Sequence, residues 1–445
     1  MRHGTIAALL VLVLSCGDSA GSPDGSHLVI GPDVWVPPEC DRSAIAAYPA
    51  ASDLVEDPMG PPASPPLALA DQQAVFEAVV RAVTDEYVDP AFNGVDWPGI
   101  VATHRARVAA GLETEAFYAD LRSLISELGD EHSYFSSPGE VQAEAAALAG
   151  QNDFVGFGVY MLPLLEKDRA AIIAVFPASP AERAGLAQHD SIVALNGFPL
   201  VAGGKSHPER LRGPECTGAV LTVQTPGQAP REHTMVRQRF SAPLPVYDRL
   251  VPTTDGSRIG YVLLPTFFDS TVPAQVRDAL QRLGPLDGLV IDDRVNGGGA
   301  SSVLEQTLSL FASGTLGHFA NRAASRPLEI AADPVQDSQT VPLAVLIDED
   351  TVSFGEIFAG VLQDTGRARL AGRTTLGNVE TLDRHVFPDG SELWLAGERF
   401  VPLHSTADWE ATGIIPDVEA HADWDTFTFE SDPAIAAALG LLGHS

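Results

Sequence analysis

Basic residues are scarce in this sequence of 445 residues, and lysine is almost absent. Lysine and arginine together number 27 against 59 aspartates and glutamates, which gives a formal net charge of −32. Such a chain is repelled by nucleic acid, so we expect no nucleic-acid partner. Lys167 and Lys205 are the two lysines. A Walker phosphate loop, which ends in Gly-Lys-Ser/Thr, is therefore excluded at every other position.

Long apolar runs are lacking as well. The N-terminal run 5–14 follows Arg2 and His3, is too short to span a bilayer, and has the shape of a signal peptide. It ends in Val-Leu-Ser-Cys, which resembles a bacterial lipobox whose cysteine is diacylated. An ordinary secretory signal is the alternative. We expect a lipoprotein-type signal peptide at 1–16, lipidation of Cys16, and a membrane-anchored protein of the cell envelope, periplasmic or on the outer surface.

Cysteine occurs only three times. If Cys16 carries lipid, Cys40 and Cys216 remain, and in an oxidising compartment they can form a disulfide. Two free, buried thiols are the alternative, and the sequence leaves both open. Neither cysteine has a C-x-x-C neighbourhood, so we expect no metal site. No organic cofactor is implied either, and the oligomeric state is left open.

Composition and periodicity divide the chain into segments of different character. Residues 75–83 carry an apolar stripe at helical spacing, whereas the continuous apolar runs at 288–292 and 342–348 are typical of strands covered on both faces. We therefore predict a multi-domain α/β protein. Its segments are the signal peptide (1–16), a Pro/Ser/Gly-rich tether (17–70), a helical N-terminal domain (71–150), a small β-rich domain (153–240), an α/β sheet core (243–425) and a C-terminal tail (426–445).

Two strand–turn–helix junctions in the core carry residues suited to catalysis. Ser353 follows a buried strand and precedes a helix, where N–H groups and the positive helix end favour an alkoxide. The alternative is that Ser353 is an ordinary N-cap residue with no catalytic role. The second junction contains three glycines, 297–299, whose N–H groups can approach a ligand closely. A tight turn or a phosphate loop would also explain these glycines, but a phosphate loop lacks its lysine here.

Four blocks of the sequence, in order, resemble the carboxyl-terminal-processing (tail-specific) proteases. The block from Thr351, Thr-Val-Ser-Phe-Gly-Glu-Ile, is similar to the nucleophile block of that family and places its catalytic serine on Ser353. Asp-Arg-Val-Asn-Gly-Gly-Gly resembles the oxyanion loop, which implies Gly298 and the Phe354 N–H as donors. Leu-Gly-Asp-Glu-His-Ser, around His132, and the closing Thr-Gly-Ile-Ile-Pro-Asp are the other two blocks.

The chain departs from many members of the family at its catalytic base. Asn378 stands where those proteases have lysine, and both lysines of this chain lie in the β-rich segment. The resemblance then implies the tricorn-like branch, in which a histidine is the base, and His132 is the matching residue. Glu410 matches the glutamate that would orient the imidazole, directly or through a bridging group. Since Glu131 stands where that branch has a serine, the residues Glu131, Asp130 and Glu380 compete with Glu410.

The β-rich segment resembles the PDZ domains that accompany such proteases. Val-Gly-Phe-Gly-Val is similar to their carboxylate-binding loop, which implies that Gly156, Phe157 and Gly158 bind a peptide C-terminus while the peptide adds as a strand. A PDZ fold used only for packing is the alternative. Together the resemblances imply a serine endopeptidase with protein or peptide substrates. The rival hypothesis is a catalytically inactive, PDZ-bearing lipoprotein that acts as a peptide-binding scaffold.

Overall fold

The structure is a computed structural model that describes residue 28 and residues 30–48, 62–130, 132–149, 154–240 and 242–444. The predicted signal peptide, Cys16 and much of the tether lie outside these residues, as does Glu131. Among the helices of the described ranges, none combines the length and apolarity needed to cross a membrane.

Ten α-helices occur in the described residues, together with short 3₁₀ helices at Arg42–Ala44, Phe92–Gly94, Leu165–Lys167, Pro208–Leu211 and Phe429–Ser431. Capping groups define several starts; the Ser179 side chain, for example, accepts from the N–H of Glu182 just before Pro180. The α-helices are α1 (Leu69–Glu86), α2 (Trp97–Ala109), α3 (Thr114–Ser126), α4 (Pro138–Ala149), α5 (Pro180–Arg183), α6 (Val272–Leu283), α7 (Ser301–Ser309), α8 (Phe354–Asp364), α9 (Trp409–Thr412) and α10 (Pro433–Leu442).

The strands of the described residues form two large units. The first unit, residues 154–240, contains β2 (Phe154–Gly156), β3 (Val159–Leu164), β4 (Arg169–Val175), β5 (Ser191–Leu195), β6 (Phe198–Pro199), β7 (Val201–Ala202), β8 (Lys205–Ser206), β9 (Gly218–Gln224), β10 (Arg231–Val236) and β11 (Gln238–Phe240). The second contains β1 (Tyr134–Ser136), β12 (Asp248–Val251), β13 (Ile259–Leu263), β14 (Gly288–Asp292), β15 (Gly314–Ala320), β16 (Ser325–Ile330), β17 (Leu343–Ile347), β18 (Arg369–Gly372), β19 (Thr381–Val386), β20 (Glu392–Pro402) and β21 (Val418–Glu419).

The central layer is a six-stranded sheet of order β12-β13-β14-β17-β18-β21. Every pair except β12–β13 is parallel. All residues of β13, β14 and β17 are buried, which explains why these strands read as continuous apolar runs. The carboxyl ends of β14 and β17 meet at one edge, where the loops to α7 and α8 begin, and such an edge is the usual site of ligands in α/β sheets.

A second sheet joins the N-terminal helices to this core. The long strand β20 pairs with β1, β15 and β19. Leu393 and Leu395 of β20 are buried in the same apolar cluster as Phe117 and Leu121 of α3. The helical region predicted at 71–150 therefore shares its core with the sheet region instead of having a separate one. This packing places β1, and with it the nearby His132, against β20.

The β-rich unit has a sheet of order β10-β9-β5-β4-β3, to which β6 adds beside β5. Leu162 and Ile173, from β3 and β4, pack in the same apolar cluster as Tyr261 and Val290 of the central sheet. The unit is thus anchored on one face of the core, opposite the face that α6, α7 and α8 cover.

The described part of the leader lies against the β-rich unit. Cys40 and Cys216 form a disulfide, which resolves the alternative left open by the sequence. Next to it, Tyr48 N–H donates to Gly218 O at 3.0 Å, and Gly218 N–H donates to Ala46 O at 2.9 Å. The region predicted as a tether at 17–70 therefore includes a docked segment.

The C-terminal segment predicted as a tail, 426–445, contains the helix α10. Ala434, Ile435 and Ala438 of α10 are buried against the central sheet. Asp432 caps this helix and also binds the buried Arg294, whose guanidinium contacts Asp292 as well. Because α10 is buried and its cap is hydrogen-bonded to the core, the segment that contains it is part of the core and is not a tail.

Candidate active site

Ser353 occupies a sharp turn between β17 and α8. Its backbone has φ 58° and ψ −123°, a conformation that residues other than glycine rarely adopt and that clusters at functional sites. The N–H of Ser353 donates to Glu356 Oε2 at 3.0 Å, and the side chain is half-buried. The strained turn presents the hydroxyl at the positive end of α8.

The glycine loop after β14 lies directly against this turn. A Cβ at Gly298 would lie 2.8 Å from Ser353 Cβ and 3.1 Å from Phe354 N, and φ there is +84°. Only glycine fits such a position. Phe354 is the first residue of α8, so its N–H has no acceptor within the helix. The two predicted oxyanion donors thus flank the serine.

One of these donors is engaged in this structure. Gly298 N–H donates to Asn296 Oδ1 at 3.1 Å, and Asn296 Nδ2 donates to Asp293 Oδ1 at 2.8 Å. Asp293 is fully buried, its Oδ2 has no hydrogen-bond partner, and burial raises the pKa of this carboxyl well above its ordinary value. Asp293 and Asn296 lie in the block that resembles the oxyanion loop, but that resemblance implied a role only for Gly298.

His132 is held by the turn between α3 and β1. Asp130 Oδ1 accepts the N–H groups of His132 at 3.0 Å and Ser133 at 2.6 Å. Ser133 Oγ donates to Asp130 Oδ2 and accepts the N–H of Ala396 in β20 at 3.0 Å. The carboxylate of Asp130, one of the competing orienting groups, is therefore used to fix the backbone that carries the histidine.

The imidazole of His132 contacts Glu410 directly. His132 Nε2 and Glu410 Oε1 lie 2.8 Å apart, and Glu410 Oε2 accepts the N–H groups of Val379 at 2.9 Å and Glu380 at 3.3 Å. Burial disfavours the imidazolium, but the hydrogen bond and charge of Glu410 outweigh it and raise the pKa of His132. Of the three acids considered from the sequence that the structure describes, Asp130, Glu380 and Glu410, it is Glu410 that forms the side-chain bond to the ring.

Glu380 lies close to this pair without joining it. The side chain is half-buried, and desolvation together with the charge of Glu410 raises the pKa of Glu380 to about 7. Its carboxylate makes no hydrogen bond to another described residue. The site thus contains a carboxyl group beyond those that a serine, histidine and acid arrangement requires.

Residues 375–380 connect the serine to the histidine. Glu356, which binds the Ser353 N–H, also accepts the N–H groups of Gly377 and Asn378 and the hydroxyl of Thr375. The next two N–H groups of the same segment bind Glu410. Glu356 was not predicted as a site residue. The spacing Ser-x-x-Glu from Ser353, which is that of a capping box, is the signal that could have found it.

No hydrogen bond joins the Ser353 hydroxyl to the His132 ring, although the structure describes both residues. Catalytic hydrogen bonds are often long in substrate-free enzymes and tighten when substrate binds. For His132 to take the proton of Ser353, these two side chains have to approach each other. For Gly298 N–H to bind an oxyanion, it has to leave Asn296.

Neither lysine is placed to act on the serine. Lys167 Nζ binds Asp423 at 2.8 Å and Asp425 at 2.5 Å, which fastens the β-rich unit to the residues just before the C-terminal segment. Lys205 lies on the exposed strand β8. Asn378, which the sequence resemblance aligns with a lysine base, is buried and contributes its backbone N–H to Glu356. These positions agree with the predicted histidine base.

The loop predicted to bind a peptide carboxylate lies at the start of the β-rich unit. Gly156 ends β2 and pairs with Gln238, and Phe157 is buried. The carbonyl groups of Phe157 and Gly158 accept hydrogen bonds from Ala181 and Phe176. These contacts of the loop use its carbonyl groups and fix its shape. The next strand, β3, is at the edge of its sheet.

An α/β core that presents a strained serine at a helix start, an adjacent glycine loop and a histidine–glutamate pair defines a serine peptidase. The profile of peptidase family S41 matches residues 258–420, and that of the tricorn protease C1 domain matches residues 69–127. The chain thus contains a peptidase family S41 domain and a region similar to the tricorn C1 domain. The family predicted from the four sequence blocks is therefore confirmed.

Related proteins support this assignment over most of the chain. The carboxyl-terminal-processing protease of Picosynechococcus sp. is 28% identical over 391 residues, which cover 84% of this chain and 90% of that protein. The protein of the same name from Synechocystis sp. is 28% identical over 385 residues, with 84% and 88% covered. The solved photosystem II D1 C-terminal processing protease matches with a TM-score of 0.55 and 25% identity, covering 82% of this chain and 97% of that one.

Proposed function

We propose that this protein is a serine endopeptidase of the cell envelope that cleaves protein substrates recognised by their C-termini. One observation carries the proposal. Ser353, in its strained turn, is connected through Glu356 and residues 377–380 to the His132–Glu410 pair. A scaffold protein has no need of a strained serine at a helix start, because such a backbone costs about 1–3 kcal/mol.

In this proposal each catalytic group has a defined role. Ser353 Oγ attacks the scissile carbonyl while His132 takes the hydroxyl proton, and Glu410 stabilises the imidazolium that forms. The N–H groups of Gly298 and Phe354 bind the oxyanion once Gly298 has left Asn296. His132 then protonates the leaving amine, and water hydrolyses the acyl-enzyme.

Substrate recognition is assigned to the β-rich unit as a PDZ-like domain. An extended peptide C-terminus would add along the edge strand β3, with its carboxylate near Gly156, Phe157 and Gly158. The packing of β3 and β4 on the central sheet supports a fixed position for this unit on the protease core.

The cell envelope is assigned from the N-terminus and from the disulfide. The sequence of residues 1–16 resembles a lipoprotein signal peptide, and in this proposal Cys16 is the lipidated residue. A disulfide between Cys40 and Cys216 is expected in an oxidising compartment such as the periplasm or the outer surface.

The test is cleavage of an unstructured protein with an apolar C-terminus, compared among wild type, Ser353→Ala and His132→Ala at pH 7 to 8. We expect both variants to lose about 10⁴- to 10⁶-fold in kcat, because removing either member of such a unit abolishes nucleophilic attack. Glu127→Gln is the control, since Glu127 also pairs with a histidine, His104, at 3.0 Å but lies in the helical region.

Two results would contradict the proposal. An inert wild type that still binds the peptide C-terminus would establish the scaffold hypothesis. Full activity in Ser353→Ala would show that the nucleophile is another residue. If only the serine variant is inactive, the nucleophile stands and the base has to be sought among the neighbouring acids.

A further inference from the structure

The pocket beside the histidine holds more ligand atoms than peptide hydrolysis uses. One ligand atom from each of His132, Glu380 and Glu410 lies within 4.8 Å of the other two. Among the described residues, this is the one such group of three or more histidine, cysteine or acidic side chains. The three residues are at positions 132, 380 and 410, so no sequence motif unites them and the expectation of no metal site did not consider them.

The donor set and its spacing fit a transition metal. Imidazole nitrogen and carboxylate oxygen are both zinc ligands, and open zinc sites combine three protein ligands with a fourth position for water. Zinc bonds of 2.0–2.2 Å at tetrahedral angles separate the ligand atoms by roughly 3.3 Å. His132 Nε2 and Glu410 Oε1 are 2.8 Å apart, so these atoms have to separate only slightly, and Glu380 has to approach.

The surroundings suit a cation with a water ligand. Asp130, Gly377, Glu380 and Glu410 line a cavity of about 290 Å³, which has room for the fourth ligand. The side chain of His132 is 3% exposed and that of Glu410 is 30% exposed, so the site is partly shielded yet reachable from solvent. Glu380 and Glu410 place two acidic groups beside the ring. A bound divalent cation offsets the repulsion between their charges, so the occupied site is favoured over the empty one.

We propose that His132, Glu380 and Glu410 form an inhibitory zinc site that overlaps the catalytic base. Zinc at Nε2 displaces the ring proton, which moves to Nδ1, and the ring then has no free nitrogen to accept the proton of Ser353. No bond to substrate forms or breaks in this step. Inhibition rests on the proposed function, whereas zinc binding itself does not.

Binding and inhibition are measured separately. Zinc binding to the full chain is followed by competition with a chromophoric zinc chelator, and inhibition is followed in the cleavage assay with added zinc chloride. Wild type and Ser353→Ala should each bind one equivalent, since the serine is not a ligand. Glu380→Gln should keep its peptidase activity but bind zinc at least about tenfold more weakly and resist inhibition by the same factor.

Glu127→Gln is the matched control, because it removes a glutamate beside His104, whose two ring nitrogens contact Asp120 and Glu127 separately and which belongs to no group of three close ligand atoms among the described residues. Its zinc affinity should equal that of wild type. Equal zinc affinity in Glu380→Gln and wild type would overturn the site, as would a wild type that does not compete with the chelator. If the chain binds zinc through Glu380 but cleaves nothing, the zinc site stands and the proposed peptidase mechanism fails.

Discussion

The contact between His132 and Glu410 joins residues 278 positions apart in the chain. Each residue is fixed by its own local structure: the Asp130 turn holds the histidine, and the short helix α9 together with the N–H groups of residues 379 and 380 holds the glutamate. A carboxylate with one oxygen on backbone N–H groups and the other on an imidazole is held in place and orients the ring.

Replacing Glu410 by glutamine tests the role of this charge. The amide keeps the shape but removes the negative charge that stabilises the imidazolium, and its NH₂ group meets the N–H donors of Val379 and Glu380. We expect kcat to fall by about 10²- to 10⁴-fold with little change in KM, as for the acid of other serine peptidase triads. Steady-state kinetics on the unstructured substrate provides the measurement, and Glu127→Gln should differ from wild type by less than about twofold. A variant with normal kcat would remove Glu410 from the mechanism.

At the scale of a single element, the first turn of α8 is organised by one buried carboxyl. Glu356 accepts hydrogen bonds from the backbone of residues 353, 377 and 378 and from the Thr375 hydroxyl. These bonds favour the ionised form, but burial outweighs them and raises the pKa of Glu356 to about 7. The residue that shapes the serine turn is therefore only partly ionised at neutral pH.

This raised pKa makes stability depend on pH with a definite sign. Between the ordinary value of 4.5 and about 7, the unfolded chain has lost this proton while the folded chain keeps it, so the free energy of unfolding falls as pH rises. The contribution is about 3 kcal/mol at most, since one pKa unit corresponds to about 1.4 kcal/mol. Calorimetry from pH 5 to 8 should show a smaller loss of Tm in Glu356→Gln than in wild type. Identical pH slopes for the two proteins would refute the assignment.

The sequence predicted the elements with strong periodicity and missed those held by tertiary contacts. The helix around Val79 and the buried strands β14 and β17 were predicted, because apolar spacing alone specifies them. Helix α2 was not predicted individually, since its buried stripe of Trp97, Val101, His104 and Val108 includes a histidine and is weak as an apolar pattern. Strands β15, β16, β19 and β20 were not predicted either, and their antiparallel sheet depends on long-range pairing that no local pattern records.

The same division applies to the site. Ser353, Gly298 and His132 lie in motifs that a resemblance can locate, and their neighbourhood could be predicted from block order. Glu410 was also located in this way, but the choice between a direct and a bridged contact, the Asn296 contact on Gly298 and the position of the Glu380 carboxyl were not. They depend on the register of loops at the sheet edge, which a single sequence does not encode in a readable pattern.

At the scale of the whole molecule, the β-rich unit is fastened at two places. The apolar cluster that contains Leu162 and Ile173, together with the ion pairs of Lys167, joins it to the core and the C-terminal segment. On the other side, the Cys40–Cys216 disulfide joins it to the leader. These attachments favour a unit that keeps one position relative to the active site.

The disulfide closes a loop of 176 residues, and that length determines what its loss should do. Because a covalent link restricts the unfolded chain more strongly when the loop is long, the double variant Cys40→Ser, Cys216→Ser should lose about 2–5 kcal/mol of stability. Calorimetry should place its Tm several degrees below that of oxidised wild type, and reductant should lower the Tm of wild type but not that of the variant. Peptidase activity of the folded variant should be retained, because neither cysteine contacts the catalytic residues. An unchanged Tm would mean that the leader contacts at Gly218 hold the segment without the covalent link.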